Sequence, residues 1–221
     1  AIGPAMFNER YSLIPAVALS FALATLAVNI MEKHPSARGV VLTISGIYLA
    51  LMMVLTFARC NVWQNSLSLW DDVLAQYPRA AMALNNRGRI HGSELGNTTQ
   101  AMEDLTAAIA SDPAYEQPYS NRGIIFAMKG EKEKALADFN SAIRLKPDYY
   151  EAIANRAILY AQMNKPDSAL PDFNRCIGLA PANPALYLNR GLCNYQLRKY
   201  DDAIRDFNKA LSLDPANGEI F

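Results

Sequence analysis

The stretch Tyr187-Leu-Asn-Arg-Gly191 decides the fold, because it returns 34 and 68 residues earlier as Ile153-Ala-Asn-Arg-Ala157 and Tyr119-Ser-Asn-Arg-Gly123. A second phrase follows each time, with an Ala, an Asp-Phe pair, a small residue and a Pro at constant spacing. Its members are Ala135, Asp138, Phe139, Ala142 and Pro147; Ala169, Asp172, Phe173, Cys176 and Pro181; and Ala203, Asp206, Phe207, Ala210 and Pro215. An earlier copy, from Asn86-Arg87-Gly88 to Pro113, carries one extra residue between its phrases. The pattern predicts four helical hairpins between residues 81 and 217.

This 34-residue unit of two helices, with small residues at fixed offsets and a closing Pro, resembles the tetratricopeptide repeat. The resemblance implies an all-α solenoid in which each hairpin packs on the next. First helices are expected near residues 82–95, 117–129, 151–163 and 185–197, and second helices near 98–110, 132–145, 166–179 and 200–213. Gly96, Gly130 and Asn164 fit the turns between them, where a left-handed residue is convenient. Residues 66–77 are expected to form a half-repeat that caps the array.

Two uncharged runs, residues 12–31 and 40–58, precede the repeats. Each would be about 28–30 Å long as a helix, which is enough to cross a bilayer. Buried helices of a soluble protein are the alternative, but two such runs in succession favour a transmembrane helical hairpin with lipid around residues 12–58. The short loop between them carries Lys33 and Arg38, so the positive-inside bias favours a cytoplasmic loop and extracytoplasmic repeats, in a bacterial inner membrane.

The sequence therefore predicts an all-α chain in which a transmembrane hairpin leads into a solenoid of a half-repeat plus four repeats. The segments are a membrane hairpin at 1–60, a linker with the capping half-repeat at 61–80, four repeats at 81–217 and a short tail at 218–221. The chain starts with Ala-Ile-Gly-Pro, without an initiator Met or a basic n-region. We expect it to be part of a longer protein. Further repeats or a partner are expected to cover the C-terminal face.

Charge and cysteine content argue against several functions. Lys+Arg and Asp+Glu both number 21, so no basic field attracts nucleic acid. The three cysteines lack CxxC spacing and only two histidines are present, so no metal site can be written. We expect Cys176 and Cys193 to pack in the core, with a disulfide between them as the alternative. Because no P-loop, GxGxxG or Ser/His/Asp set occurs, no cofactor and no catalytic site are expected in this chain.

An Arg in each first helix recurs together with an Asp in the paired second helix. This joint recurrence predicts a structural ion pair inside each repeat, with the planar Arg fork as donor. A line of acids and bases in the groove is the functional alternative. The predicted pairs are Arg87 with Asp104, Arg122 with Asp138, Arg156 with Asp172, and Arg190 with Asp206.

The Asn before each Arg is the candidate peptide-binding residue. A primary amide both donates and accepts, so it can pair with the backbone of an extended peptide whatever the peptide sequence. The four resemble the asparagine ladder of the O-linked N-acetylglucosamine transferase superhelix, which implies that they line the concave face. A merely polar inner face is the alternative. The residues, called the Asn ladder below, are Asn86, Asn121, Asn155 and Asn189.

The membrane part carries a second resemblance. The order of elements here is the segment Asn8-Glu-Arg-Tyr-Ser-Leu-Ile-Pro15, two spans, a Trp-containing stretch and then the repeats. This order is similar to that of the C-terminal part of bacterial transmembrane tetratricopeptide proteins related to O-mannosyltransferases. It rests on Glu9, Arg10, Tyr11 and Pro15 and on element order. It implies a glycosyltransferase that uses lipid-linked sugars, whose catalytic loop has no counterpart here. We therefore expect a membrane-anchored module that binds a protein or peptide, as the acceptor-binding arm of such an enzyme or, alternatively, as a non-enzymatic scaffold for an envelope complex.

Overall fold

The computed structural model describes residues 19–62 and 65–215, and every regular element in this part of the chain is helical. The chain divides into two compact units, Ala1–Ala83 and Leu84–Phe221. The predicted all-α fold is therefore confirmed for the described residues. Glu9, Arg10, Tyr11, Pro15 and Trp63, together with the tail 218–221, lie outside them.

In the described part of the first unit, helix α1 covers residues 19–33. A 3₁₀ turn at Pro35–Ala37 and helix α2 at Arg38–Val62 follow it. The Ser20 and Tyr48 hydroxyls form a 3.1 Å hydrogen bond between α1 and α2. Both residues lie 14 positions from His34, so the two helices run antiparallel. Helix α3, Ser66–Gln76, starts at Asn65, whose side chain accepts the Ser68 backbone N–H at 2.8 Å.

Apolar side chains on α1 and α2 are exposed, as at Phe21 (74 %) and Met53 (72 %). By length and composition one helical stretch among the described residues, Pro35–Phe57, could cross a membrane. The mean hydropathy of its most apolar 18-residue window is 2.3, and none of that window is buried. Residues 12–18 of the predicted first span lie outside the described residues. The two-span hairpin therefore stays a prediction, which the one apolar stretch and the Ser20–Tyr48 bond support only in part.

Four helical hairpins follow, and their observed bounds confirm the predicted helices to within two residues at each end. The first helices are α4 (Ala81–Ser93), α6 (Glu116–Met128), α8 (Tyr150–Gln162) and α10 (Pro184–Gln196). The second helices are α5 (Thr98–Ser111), α7 (Lys132–Leu145), α9 (Pro166–Leu179) and α11 (Tyr200–Leu213). Within the second unit, each helix from α5 onward packs on the next one along the chain.

The turns inside the hairpins use left-handed backbone. Gly96, Gly130 and Asn164 have φ values of 65°, 76° and 56°, as the sequence predicts. Arg198 holds the fourth turn with φ 63°, which the sequence did not indicate. A left-handed conformation at a residue with a Cβ costs about 1–2 kcal/mol, so packing of the last hairpin must offset it.

The recurring Gly of the first helix makes room for the ring of the second. A Cβ at Gly123 would lie 2.7 Å from Phe139 Cε1, and one at Gly191 would lie 2.6 Å from Phe207 Cε1. The third repeat has Ala157 in this place, fully buried in one cluster with Phe173. The Asn-Arg-Gly phrase is therefore partly a packing requirement.

Cys176 and Cys193 are free thiols, 0 % and 1 % exposed, in the same core cluster. This arrangement confirms that they pack rather than form the alternative disulfide. Burial, with the nearby Asp172 carboxylate, raises the pKa of the Cys176 thiol from 9.0 to about 11.

We expect Cys176 to resist alkylation in the folded chain. A pKa of about 11 in place of 9.0 lowers the thiolate fraction at neutral pH roughly a hundredfold, and burial slows access further. Iodoacetamide labelling at pH 8, followed by peptide mass spectrometry, should show at least that difference between folded and urea-unfolded chain. Equal rates would contradict the buried assignment.

The same shift makes stability depend on pH. Because the unfolded thiol loses its proton near pH 9 and the folded one near 11, the Cys176 contribution is complete below 9 and is lost as pH rises to 11. A Cys176→Ala chain is the matched control and should lose less stability over that range in urea melts.

Candidate functional site

Each repeat joins its two helices through a two-pronged Arg–Asp pair. In the first pair, Arg87 Nε and Nη2 donate to the Asp104 carboxylate at 2.8 and 2.7 Å. The Nε and Nη2 atoms of the other three arginines donate in the same way. The distances are 2.8 and 2.9 Å from Arg122 to Asp138, 2.7 and 2.7 Å from Arg156 to Asp172, and 2.9 and 2.5 Å from Arg190 to Asp206. The structure therefore brings every predicted pair together.

The acids of these pairs are buried between the helices. Their exposed fractions are 2 % at Asp104, 6 % at Asp138 and Asp172, and 4 % at Asp206. The hydrogen bond to the carboxylate raises the pKa of the guanidinium of Arg122, Arg156 and Arg190. Because the carboxylates are enclosed, the geometry suits structural pairs rather than a line of acids open to a ligand.

A third nitrogen of the Arg reaches the preceding repeat, which sequence reasoning missed. Nη1 of Arg156 donates to Asn140 Oδ1 at 2.5 Å, and Nη1 of Arg190 donates to Asn174 Oδ1 at 2.8 Å. In the second repeat Arg122 Nη1 reaches Thr106 Oγ1 at 3.3 Å. Each acceptor precedes its Arg by 16 residues and directly follows the Asp-Phe or Asp-Leu pair. The recurrence of Asn after Asp-Phe was the available signal.

We expect the Arg156–Asp172 pair to be strongly coupled. Arg156→Leu alone leaves the Asp172 carboxylate buried without its partner, which costs about 3–5 kcal/mol. Arg156→Leu with Asp172→Leu should cost less, although both variants lose the Asn140 contact. Urea melts of the four chains of the cycle measure the difference. The exposed Lys134–Glu131 pair is the control, where Lys134→Ala should leave the unfolding midpoint nearly unchanged because water screens the pair. Additive losses at 156 and 172 would show an uncoupled pair.

The Asn ladder occupies one position on the four first helices, and all four side chains are half-buried. Asn121 Nδ2 donates to Asn85 Oδ1 at 2.8 Å, whereas Asn189 Nδ2 donates to the Ala185 carbonyl of its own helix at 2.8 Å. Asn155 makes no side-chain hydrogen bond to the described residues. The Oδ1 atoms of Asn121, Asn155 and Asn189 receive no donor from the described part of the chain, so they remain acceptors.

A buried polar cluster centred on Asn85 was not foreseen. Asn85 is 1 % exposed and donates to the Tyr115 hydroxyl at 3.4 Å and to Gln117 Oε1 at 3.3 Å. The Tyr115 hydroxyl also donates to Gln117 at 2.7 Å, and burial raises its pKa. The later repeats have Ser120, Ala154 and Leu188 at the Asn85 position, so no recurrence marked it. The cluster joins α4 to α6 and holds the amide of Asn121.

A cavity of about 520 Å³ opens between α9, α10 and α11. The Arg190–Asp206 pair and Asn174 line it, and Arg205 on its wall pairs with Asp202. Its remaining charges are Lys199 and Lys209. No ladder residue lines this cavity, so it is a different surface from the predicted peptide groove. Among the described residues, no group of three His, Cys, Asp or Glu is placed to hold a metal ion.

Comparison with known families gives matches that together cover residues 52–217. Family models described as tetratricopeptide repeat match residues 184–217, residues 123–186, and residues 52–116 and 93–150. A search of curated proteins gives no significant match.

Solved structures share the fold of the repeats. MamA is 25 % identical, with 66 % of this chain and 85 % of that chain covered and a TM-score of 0.61. YrrB, described as a tetratricopeptide repeat protein with an unusual peptide-binding site, is 17 % identical over 68 % of this chain and 77 % of its own, with a TM-score of 0.62. PilF of Pseudomonas aeruginosa is 21 % identical over 77 % of each chain, with a TM-score of 0.63. At these identities, YrrB and PilF show the fold alone.

Proposed function

Because the chain is a tetratricopeptide repeat protein, we propose that its array binds an extended segment of a partner protein along the Asn ladder. The observation that carries the proposal is that the Oδ1 atoms of Asn121, Asn155 and Asn189 accept no hydrogen bond from the described residues. Asn121 and Asn189 donate through Nδ2 within the array, which leaves their Oδ1 atoms as acceptors for a ligand. An extended peptide offers backbone N–H groups as donors, and the amide oxygens would bind those groups whatever the peptide side chains. The peptide-binding site named for YrrB, which has the same fold, supports this function.

The ladder residues are not expected to be equivalent. Removing the Asn121 amide also takes away the hydrogen-bond donor to Asn85 Oδ1 inside a buried cluster. Asn155 and Asn189 make no hydrogen bond to another repeat through their amides in the described part of the chain. The second of these donates only to its own helix. Asn155 and Asn189 are therefore the cleaner probes of binding.

We expect Asn155→Ala with Asn189→Ala to weaken binding of an extended peptide roughly five- to a hundredfold while the melting temperature hardly changes. Each net hydrogen bond contributes about 0.5–1.5 kcal/mol. The probe is a peptide selected from a random library on the wild-type chain, with affinity measured by titration calorimetry. Asn121→Ala, by contrast, should lower the melting temperature because it disturbs the Asn85 cluster.

Backbone methylation of the peptide provides the matched control. Methylating the N–H groups that face the ladder should weaken binding to the wild-type chain, and should add little to the loss in the double mutant. Scrambling the peptide side chains should change affinity equally for both chains. If the double mutant binds as well as the wild type, or if the fold collapses, the ladder is not the binding site.

We further propose that α1 and α2 anchor the array in a bacterial inner membrane. Three observations support this anchoring role: the exposed apolar surface of both helices, the length of Pro35–Phe57, and the antiparallel arrangement indicated by the Ser20–Tyr48 hydrogen bond. Lys33 and Arg38 beside the connection favour a cytoplasmic turn and extracytoplasmic repeats. A role as the acceptor-binding arm of a lipid-sugar-dependent glycosyltransferase rests on Glu9, Arg10, Tyr11 and Pro15, outside the described residues; a non-enzymatic envelope scaffold is the alternative. Further spans with an acidic loop upstream of Ala1 would favour the enzyme.

We expect cysteines at Ser36 and Thr99 to label from opposite sides of the membrane. Both positions are exposed. In a chain whose three native cysteines are replaced, a membrane-impermeant maleimide should reach Thr99→Cys in intact spheroplasts and Ser36→Cys only after permeabilisation. The reverse labelling would invert the orientation, and labelling of both from one side would remove the two-span arrangement.

A further inference from the structure

The cavity between α9, α10 and α11 lies where the fourth repeat has an Asn in place of an aromatic residue. Asn194 lines the cavity, and the equivalent residues 68 and 34 positions earlier are Phe126 and Tyr160. In the second repeat, Arg122 Cζ lies 5.8 Å and Lys134 Nζ lies 5.4 Å from the centroid of the Phe126 ring. The shorter Asn leaves the space beside the Arg of its own repeat open, so the cavity follows from a residue particular to the fourth repeat.

The cavity does not use the surface on which a following repeat would pack. On α9, Leu170 packs against the core cluster of the next first helix, and Asn174 binds the Arg of that helix. The equivalent residues of α11, Ile204 and Asn208, do not line the cavity. Its wall on α11 consists of Lys199, Asp202, Arg205, Asp206 and Lys209. The site is therefore complete within the third and fourth repeats.

Two amides in the cavity wall have one hydrogen-bonding atom each to spare. Asn194 is 7 % exposed and donates through Nδ2 to the Asp206 carboxylate at 3.1 Å, which leaves its Oδ1 as an acceptor. Asn174 accepts through Oδ1 from Arg190 Nη1 at 2.8 Å, which leaves its Nδ2 as a donor. Both orientations are fixed, because a carboxylate only accepts and a guanidinium only donates. No described residue binds either spare atom, and a peptide group, with one N–H and one C=O, matches the two.

The cavity also carries an excess of positive charge. Its two arginines pair with the Asp202 and Asp206 carboxylates. Lys199 and Lys209 are exposed and form no ion pair with a described residue. Lys199 is the N-cap residue of α11 and Lys209 is ten positions further, so about 15 Å of helix separates them. Because an extended chain rises about 3.3 Å per residue, side chains four or five residues apart span that distance.

We propose that this cavity binds an extended acidic segment of a partner protein, with the pattern acid-x3-acid. The two carboxylates would pair with Lys199 and Lys209, and a peptide group between them would bind Asn174 Nδ2 and Asn194 Oδ1. A single small anion fits less well, because the spare amide atoms match a peptide group and the two lysines start far apart on the helix. The site goes beyond the proposed function, since no residue of the Asn ladder lines the cavity.

The probe is a fluorescent peptide with two Asp residues fixed four positions apart. It is selected from a library randomised at the other positions, on the Asn155→Ala/Asn189→Ala chain, so that the ladder does not choose it. Its affinity for the full chain, in mild detergent at low salt, is measured by fluorescence anisotropy. Lys199→Ala and Lys209→Ala should each weaken binding roughly two- to fivefold, as exposed ion pairs do, and the double change to Glu more than about tenfold. Asn194→Phe, which restores a ring at this position, should also weaken binding strongly.

Lys165→Ala is the matched control, because Lys165 stands 34 positions before Lys199 in a repeat whose equivalent residue is Tyr160. This variant should bind as the wild type does. Circular dichroism melts check the fold. The lysine variants change exposed residues, so they test the site even if Asn194→Phe, which loses the bond to Asp206, is destabilised.

Three results would overturn the proposal: failure to select any peptide, equal losses from Lys165→Ala and Lys199→Ala, or unchanged binding when Ser replaces both Asp residues of the peptide. Glutarate provides the last arm of the test. If glutarate displaces the peptide at an equal concentration, the cavity takes a small anion and the assignment to a protein segment is wrong.

Discussion

The array depends on a buried carboxylate whose Arg partner uses two nitrogens to bind it and a third to bind the preceding repeat. Asp172 is only 6 % exposed, so its charge requires the two donors that Arg156 supplies. The third donor of the same Arg binds Asn140 in the preceding repeat. One side chain thus sets the geometry within a hairpin and between hairpins. Because the arrangement recurs, the order of each repeat is transmitted to its neighbours, as expected for a one-dimensional stack.

The direction of the Arg explains why the Asn beside it can serve another purpose. Successive residues of an α-helix point about 100° apart, so an Arg turned toward the second helices leaves the preceding Asn on another side. The Gly that follows in three of the four copies lies against the Leu or Phe of the second helix. Asn, Arg and Gly are adjacent in sequence but have different roles. The Asn offers hydrogen-bonding groups, the Arg binds the second helices, and the Gly leaves space for the Leu or Phe side chain of the second helix.

Recurrence decided what the sequence could predict. The helix bounds and the Arg–Asp pairs could be predicted because the same residue types recur at the same spacing in successive repeats. The Asn85 cluster occurs once and therefore left no periodic trace, and the left-handed Arg198 departs from the Gly and Asn of the other turns. The inter-repeat contact of Arg190 with Asn174 was visible in the pattern, but only coordinates connect residues on different hairpins. The membrane role rests on composition and length, which do not distinguish a span from other apolar helices.

The four repeats are alike in backbone and unlike in the state of their ladder amides. The bond from Asn121 to Asn85 and the hydrogen bonds of Asn85 with Tyr115 and Gln117 join polar groups of the first repeat to the second. Breaking such a cluster leaves buried groups unsatisfied, so these repeats favour rigidity. Asn155 and Asn189 have no such tie to a neighbouring repeat in the described part of the chain. The amides of the ladder thus differ in their surroundings, because Asn121 is tied to the first repeat through Asn85 and Asn189 donates within its own helix.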